Sequence, residues 1–178
     1  MHKGTQKIKT ERLVLRKFRR DDAEAIFENW ISDPEVSKYM VWNHQTSIDE
    51  TKKWLKKIIE KYKELDSYNW GIELEKTGDL IGSISANKAE KIDECYEIGY
   101  AIGREFWRNG YATESLKAVV EFLINEEGIR KFICRYAKDN QVSGSVIRKV
   151  GFEYIGRGQF TSIDGKRIFE SEEYFLER

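Results

Sequence analysis

Apolar residues change their spacing several times along this chain, and each change marks a new element. Arg12-Leu13-Val14-Leu15-Arg16 is a short apolar run between arginines and reads as a first strand. Asp21 and Asp22 then precede a helical pattern over 23–30, and Asp33-Pro34-Glu35 supplies a cap and a proline at a further helix start. Behind the capping-box spacing of Ser47-Ile48-Asp49-Glu50, the residues Thr51, Leu55, Ile58, Tyr62 and Leu65 share one helical side, with lysines between them. The middle switches to period two. Residues 70–75 and 80–86 read as strands joined by Lys76-Thr77-Gly78-Asp79, and 95–102 as the next strand. That strand carries Tyr96, Ile98, Tyr100 and Ile102 on one face and Cys95, Glu97, Gly99 and Ala101 on the other. The second face is small-sided except for Glu97, which leaves room beside the backbone.

Helical spacing returns with Leu116, Val119, Val120 and Leu123 ahead of Gly128. A strand over 132–137, a short helix over 141–150 closed by Gly151, and a hairpin of 152–162 and 167–176 around Asp164-Gly165 complete the pattern. Helices, a meander and then alternating elements imply an α/β fold with a mixed sheet covered on both faces. One domain over 1–178 is expected, with 1–9 as a flexible tail.

Composition narrows the function classes. The 31 basic residues balance 31 acidic ones, so the basic excess of a nucleic-acid binder is missing. No apolar run approaches the ~20 residues of a membrane span, and no apolar signal segment follows Met1-His2-Lys3. Cys95 and Cys134 form neither a disulfide framework nor a metal motif, and His2 and His44 cannot make a three-histidine zinc site. A cytoplasmic protein without a metal, monomeric or homodimeric, is expected.

The stretch with the clearest chemistry is Phe106-Trp107-Arg108-Asn109-Gly110-Tyr111-Ala112-Thr113-Glu114, between the 95–102 strand and an amphipathic helix. Free amides and the positive end of a helix dipole gather there, which suits a phosphate or pyrophosphate. Read with the small-faced strand and Asp139-Asn140-Gln141-Val142-Ser143, it resembles the GNAT N-acetyltransferase superfamily, more narrowly its Rim-type branch of ribosomal-protein N-terminal acetyltransferases. Thr10-Glu11-Arg12-Leu13-Val14-Leu15-Arg16 is similar to the opening of that branch, and Glu97-Ile98-Gly99-Tyr100 to its fourth strand. Asn140, Ser143 and Lys149-Val150-Gly151-Phe152 are similar to its final block.

The resemblance implies a GNAT-like fold, a central twisted mixed sheet of about seven strands with helices on both faces. It implies acetyl-CoA as co-substrate, with its pantetheine arm on the main chain of Tyr100, Ala101 and Ile102. The pyrophosphate then falls to Arg108, Asn109, Gly110, Tyr111, Ala112 and Thr113, and Asn140 and Ser143 lie beside the arm and thioester. Two departures stand out. Trp107 and Arg108 fill loop places usually held by Gln or Arg and then glycine, and a left-handed Arg108 would cost about 1–2 kcal/mol, so a right-handed one is expected. Ile147 occupies the place of a tyrosine acid in the last helix, which leaves Ser143 as its substitute.

The implied reaction is direct attack of a primary amine on the thioester. An α-amine with a pKa of about 8, or a lysine near 10.4, must first lose a proton. Glu97 is the candidate base, ahead of Glu73 and Glu94; the alternative is a structural carboxylate paired with a basic residue of a neighbouring strand. Ser143 can donate to the departing sulfur or serve only as a helix-start hydroxyl. Cys95 and Cys134, mid-strand without a histidine partner, read as packing residues rather than acyl carriers. Trp42, Asn43 and His44 line the acceptor side or form a surface loop with one anchoring tryptophan. The acceptor is a protein N-terminus or a small amine such as a polyamine, antibiotic or amino-acid derivative. A non-catalytic acetyl-CoA-binding module is the reading from another class.

Overall fold

Eight strands form one mixed sheet in the computed structural model, which describes residues 2–90 and 92–178. In chain order they are β1 (Ile8–Lys9), β2 (Leu13–Arg16), β3 (Tyr68–Leu74), β4 (Leu80–Lys88), β5 (Cys95–Ile102), β6 (Lys131–Ala137), β7 (Glu153–Thr161) and β8 (Ile168–Glu177). Across the sheet they run β1-β2-β3-β4-β5-β6-β8-β7, and only β5 and β6 are parallel neighbours. The helices are α1 (Ala23–Ile26), α2 (Pro34–Ser37), α3 (Ile48–Lys61), α4 (Tyr111–Glu127) and α5 (Gln141–Val150). None is long and apolar enough to cross a membrane.

Helix α4 is the crossover that a parallel pair requires. It packs Leu116, Val119 and Leu123 onto one sheet face with Trp70, Ile98 and Phe132. On the other face Phe18, Ile26, Trp30 and Leu55 form a second cluster around Ala101. The alternation in β5 is thus realised: Tyr96, Ile98 and Ile102 enter the α4 core, and the small-sided face turns the other way.

Three local expectations need correction. Residues 2–9 are tied down rather than loose. Thr5 Oγ1 accepts from the Asn69 amide at 3.0 Å, the Gln6 carbonyl accepts from Trp70 Nε1 at 2.7 Å, and β1 pairs with β2. These bonds satisfy polar groups of β3 that burial would otherwise leave unpaired. Helix α3 stops at Lys61, before Tyr62 and Leu65, where the chain tightens into bonds from Tyr62 to Ile59 and Lys63 to Glu60. The single helix expected over 23–30 is a short α1 followed by π-type winding over Phe27–Ile31. Ser32 bonds back to the Phe27 carbonyl through both its amide (3.4 Å) and its hydroxyl (2.6 Å), and the extra residue per turn leaves Trp30 fully buried.

Candidate active site

The register between β5 and β6 runs from Cys95 opposite Lys131 to Glu97 opposite Ile133 and then stops. Both strands continue, to Ile102 and Ala137, so the sheet parts into two halves. Gly103 donates to the Ile81 carbonyl across β4, at 2.8 Å. Alternation in an antiparallel ladder then turns the main-chain groups of Tyr100 and Ile102 away from β4, toward the side β6 has left. An unpaired strand edge therefore faces the opening.

Beyond Ile102 a single 3₁₀ turn, Arg104–Phe106, leads into the loop. Trp107 Nε1 donates back to the Ile102 carbonyl at 2.7 Å, and Asn109 Nδ2 donates to the carbonyls of Phe106 and Trp107, both at 3.1 Å. Arg108 has φ 63° and Gly110 φ 80°, so the right-handed Arg108 expected from sequence is corrected to a left-handed one. The two left-handed residues curl the chain so that its amides line one concave side, at a local cost of about 1–3 kcal/mol for a non-glycine residue. Between Arg108 and Thr113 the amides find no acceptor among the described residues. The first returning bond of α4 is Glu114 to the Gly110 carbonyl, at 3.0 Å.

Glu114 fixes this helix start to the sheet. Its carboxylate accepts from Thr10 Oγ1 (2.6 Å), the Arg12 amide (2.9 Å) and Arg12 Nε (2.8 Å), while Arg12 Nη1 also reaches the Asn109 carbonyl at 2.9 Å. Burial opposes the ionised form, but the bonds from Thr10 and Arg12 outweigh it and hold the carboxyl below its ordinary range. A folded value below the unfolded one of about 4.3 means that this stabilisation is present above that pH and is lost as pH falls through the folded value. Glu114→Gln is therefore expected to flatten the loss of thermal stability below about pH 4.3. An acid limb identical to wild type would dismiss the anchor.

The parted strands open into a cleft of about 530 Å³. Glu97, Tyr100, Ala101, Asn140, Ser143 and Trp42 all line it. His44 is exposed and stands outside the lining, as do Ile102 and residues 108–113. Glu97 is engaged by Arg135: Nε and Nη2 meet its two oxygens at 2.6 and 2.5 Å, across the point where the ladder ends. Ser143 sits half-buried in the first turn of α5, and its carbonyl accepts from the Tyr100 hydroxyl at 3.3 Å. Burial pushes the Tyr100 phenol well above its usual range. Burial, followed by a hydrogen bond with Tyr174, pushes the Tyr136 phenol up to about 12, so both remain protonated donors at neutral pH.

The other candidates sit elsewhere. Glu73 is bonded to Arg16 at 2.6 Å, and Glu94 occupies a left-handed turn position at φ 55°. Cys95 and Cys134 are buried, and desolvation raises both thiols, Cys95 to about 11, which keeps them un-ionised. Sequence reasoning missed Arg135, Asn69 and the serines of β4. Ser83 and Ser85 lie opposite Ala101 and Gly99, and Asn69 opposite Ser85, so small and polar groups pave the floor of the cleft. Their alternation with Trp70 and Ile84 was the available signal. Asn69 is 8% exposed and its Nδ2 has no partner among the described residues.

A model of the acetyltransferase (GNAT) domain matches residues 12–153. The chain is 34% identical over 149 residues to the uncharacterized N-acetyltransferase YoaA of Bacillus subtilis, covering 84% of each chain. It superposes with a TM-score of 0.82 on a GNAT-family acetyltransferase from Bacillus anthracis, at 26% identity over 97% of this chain and 98% of that one. A ribosomal L7/L12 α-N-protein acetyltransferase, RimL, solved in complex with coenzyme A, shares the fold at a TM-score of 0.83 and 21% identity, over 97% and 98% of the two chains. The family match reaches from the Arg12 anchor across the parted strands to the start of β7, and the protein belongs to the GNAT acetyltransferases.

Proposed function

We propose that the protein moves the acetyl group of acetyl-CoA to a primary amine by direct attack, and that the amine is the α-amine of a protein or peptide N-terminus. The observation that carries this reading is the succession of two main-chain rows without protein partners among the described residues, the β5 edge that faces the cleft and, after the bonded Arg104–Phe106 turn, the amide row entering α4. The amides of Arg108 to Thr113 take the pyrophosphate, with the exposed Arg108 side chain adding charge. The Tyr100 main chain and the Ile102 amide take the pantetheine arm; Ala101, whose main chain pairs with Ser83, corrects the expectation and lends the cleft only its small side chain, and Asn140 flanks the arm. RimL, solved with coenzyme A, lends support as a protein of the same fold.

In the reaction the amine nitrogen attacks the thioester carbonyl carbon, main-chain amides along the strand edge meet the oxyanion, and the carbon–sulfur bond breaks. The ammonium proton leaves first. Glu97 receives it through a water, since Arg135 occupies one lone pair on each carboxylate oxygen and leaves the others free. Ser143 donates a hydrogen bond to the departing thiolate, which becomes the coenzyme A thiol by taking up the proton that the attacking nitrogen sheds as the amide forms. Holding both reactants in one cleft supplies much of the acceleration.

A peptide acceptor is favoured by the cleft's chemistry. Among the described residues Glu97 is the one carboxylate in its lining and is matched by Arg135, a poor setting for a polycation. Val41, Ile163 and Ile168 expose apolar surface along the segments that border the opening. The test is a transfer screen with acetyl-CoA over hexapeptides with N-terminal serine or alanine, spermidine and phenethylamine. Transfer to a peptide supports the reading; transfer to spermidine alone moves the acceptor to small amines. Coenzyme A binding without any transfer leaves a binding module. For the base, Glu97→Gln is expected to lower kcat/KM about a hundredfold near neutral pH, with a smaller deficit at high pH where the amine deprotonates unaided. Wild-type turnover at every pH removes Glu97 from the chemistry.

A further inference from the structure

Residues 39–42 and Gln45 line the cleft on one side and Phe160 and Thr161, at the end of β7, on another, and the segments that carry them, 37–45 and the β7–β8 turn, are fastened together by directed bonds. Arg167 Nη1 donates to the carbonyls of Ser37 (3.3 Å) and Lys38 (3.2 Å), and Nη2 to those of Met40 (3.1 Å) and Trp42 (2.9 Å). The Ile163 amide donates to the Val41 carbonyl at 2.7 Å, and Asn43 Nδ2 to Asp164 at 2.7 Å. The guanidinium lies 5.3 Å from the Phe169 ring, which packs at a tilt against Phe160 in the cleft wall, ring centres 4.9 Å apart. Tyr39, Met40, Val41 and Trp42 also line the cleft, so two of the four carbonyls that Arg167 gathers, those of Met40 and Trp42, belong to wall residues, and the other two belong to the chain that leads into the wall.

We propose that Arg167 is a positioning residue for the amine acceptor: its forked guanidinium holds the 37–42 wall in one shape and so sets acceptor binding without touching the reacting atoms. The inference rests on the transferase reading above. Between the four-residue α2 and α3 this segment joins no strand, and its own main-chain ties are few, chiefly Met40 to Ser37 and Gln45 to Ile31. Three of the four bonds are part-buried and the one to Lys38 is exposed, so removing Arg167 frees a segment at the edge of the fold, and the wall loses its shape. Two pairs of carbonyls several residues apart suit a planar fork; a lysine ammonium is one point and cannot serve both.

Arg167→Ala and Arg167→Lys test this with two readouts. Amide exchange is expected to accelerate in 38–43 and to stay at wild-type rates in α4 and β5. With the hexapeptide that the wild type acetylates best, KM is expected to rise about tenfold, with kcat changed less and coenzyme A affinity within about twofold by calorimetry. The lysine variant should not rescue. Unchanged exchange in 38–43, an equal loss of coenzyme A affinity, or an unaltered peptide KM in a loosened variant each overturns the proposal. If Arg167→Ala does not fold, Arg167→Lys keeps the charge and most of the bulk and carries the same two readouts, and no loosening in that variant overturns the proposal too. A wild type that acetylates none of the amines ends the transferase reading and this inference with it, an outcome distinct from transfer that ignores Arg167.

Discussion

Thr113→Asp is expected to weaken coenzyme A binding about a hundredfold while leaving Tm unchanged or slightly higher. Thr113 is the third residue of α4, and its amide belongs to the unpaired row at the helix start. A carboxylate there complements the helix dipole and stabilises the helix by roughly 0.3–1 kcal/mol. The same carboxylate lies against the proposed pyrophosphate. Two like charges about 5 Å apart at an effective dielectric near 20 repel by about 3 kcal/mol, which corresponds to the hundredfold loss. Few substitutions move stability and affinity in opposite directions, and this separates lost binding from damage to the fold. The check is calorimetry with coenzyme A at two salt concentrations beside a thermal melt, with the deficit shrinking at high salt. An affinity within about threefold of wild type would place the anion elsewhere.

Trp30→Ala is expected to cost about 3–5 kcal/mol, enough to lower Tm by roughly ten degrees. Trp30 is 1% exposed, belongs to the second cluster with Phe18 and Leu55, and also lines the cleft. Its removal leaves a void that the π-wound segment must fill, although that segment is held through Asn29 Nδ2 on the Leu80 carbonyl at 2.6 Å. Trp30→Phe should recover most of the loss. Denaturant melts of the two variants measure this, and a difference below about 1 kcal/mol for the alanine would mean that the segment collapses onto the sheet.

The regular elements were legible because their signals are local. β5 and α5 occur over the residues expected, since alternation in one and the closing Gly151 in the other are written in consecutive positions. The glycine loop was legible for the same reason, but the handedness of Arg108 was not. Sterics alone favour a right-handed residue, and the local cost is outweighed by Asn109 and Trp107 bonds that exist only once the loop has folded. The fastening of residues 2–9 was hidden in the same way. Thr5 and Gln6 look like tail residues until β3 lies beside them. Glu97 was visible as the lone charge on a small face, whereas Arg135 was not tied to it, because two strands meeting across a crossover leave no trace of register in the sequence. The roof built by Arg167 joins positions more than a hundred residues apart, beyond the reach of any local pattern.

The last of the eight strands in chain order occupies an interior place. β8 runs between β6 and β7, pairing Lys131 to Ala137 on one edge and Glu153 to Thr161 on the other. During vectorial synthesis the meander of β1 to β5 can therefore assemble while the remainder is still emerging, but β6 and β7 have no common neighbour until residues 168–177 arrive. Until then a nascent chain carries two open strand edges, and one half of the molecule must wait for its keystone.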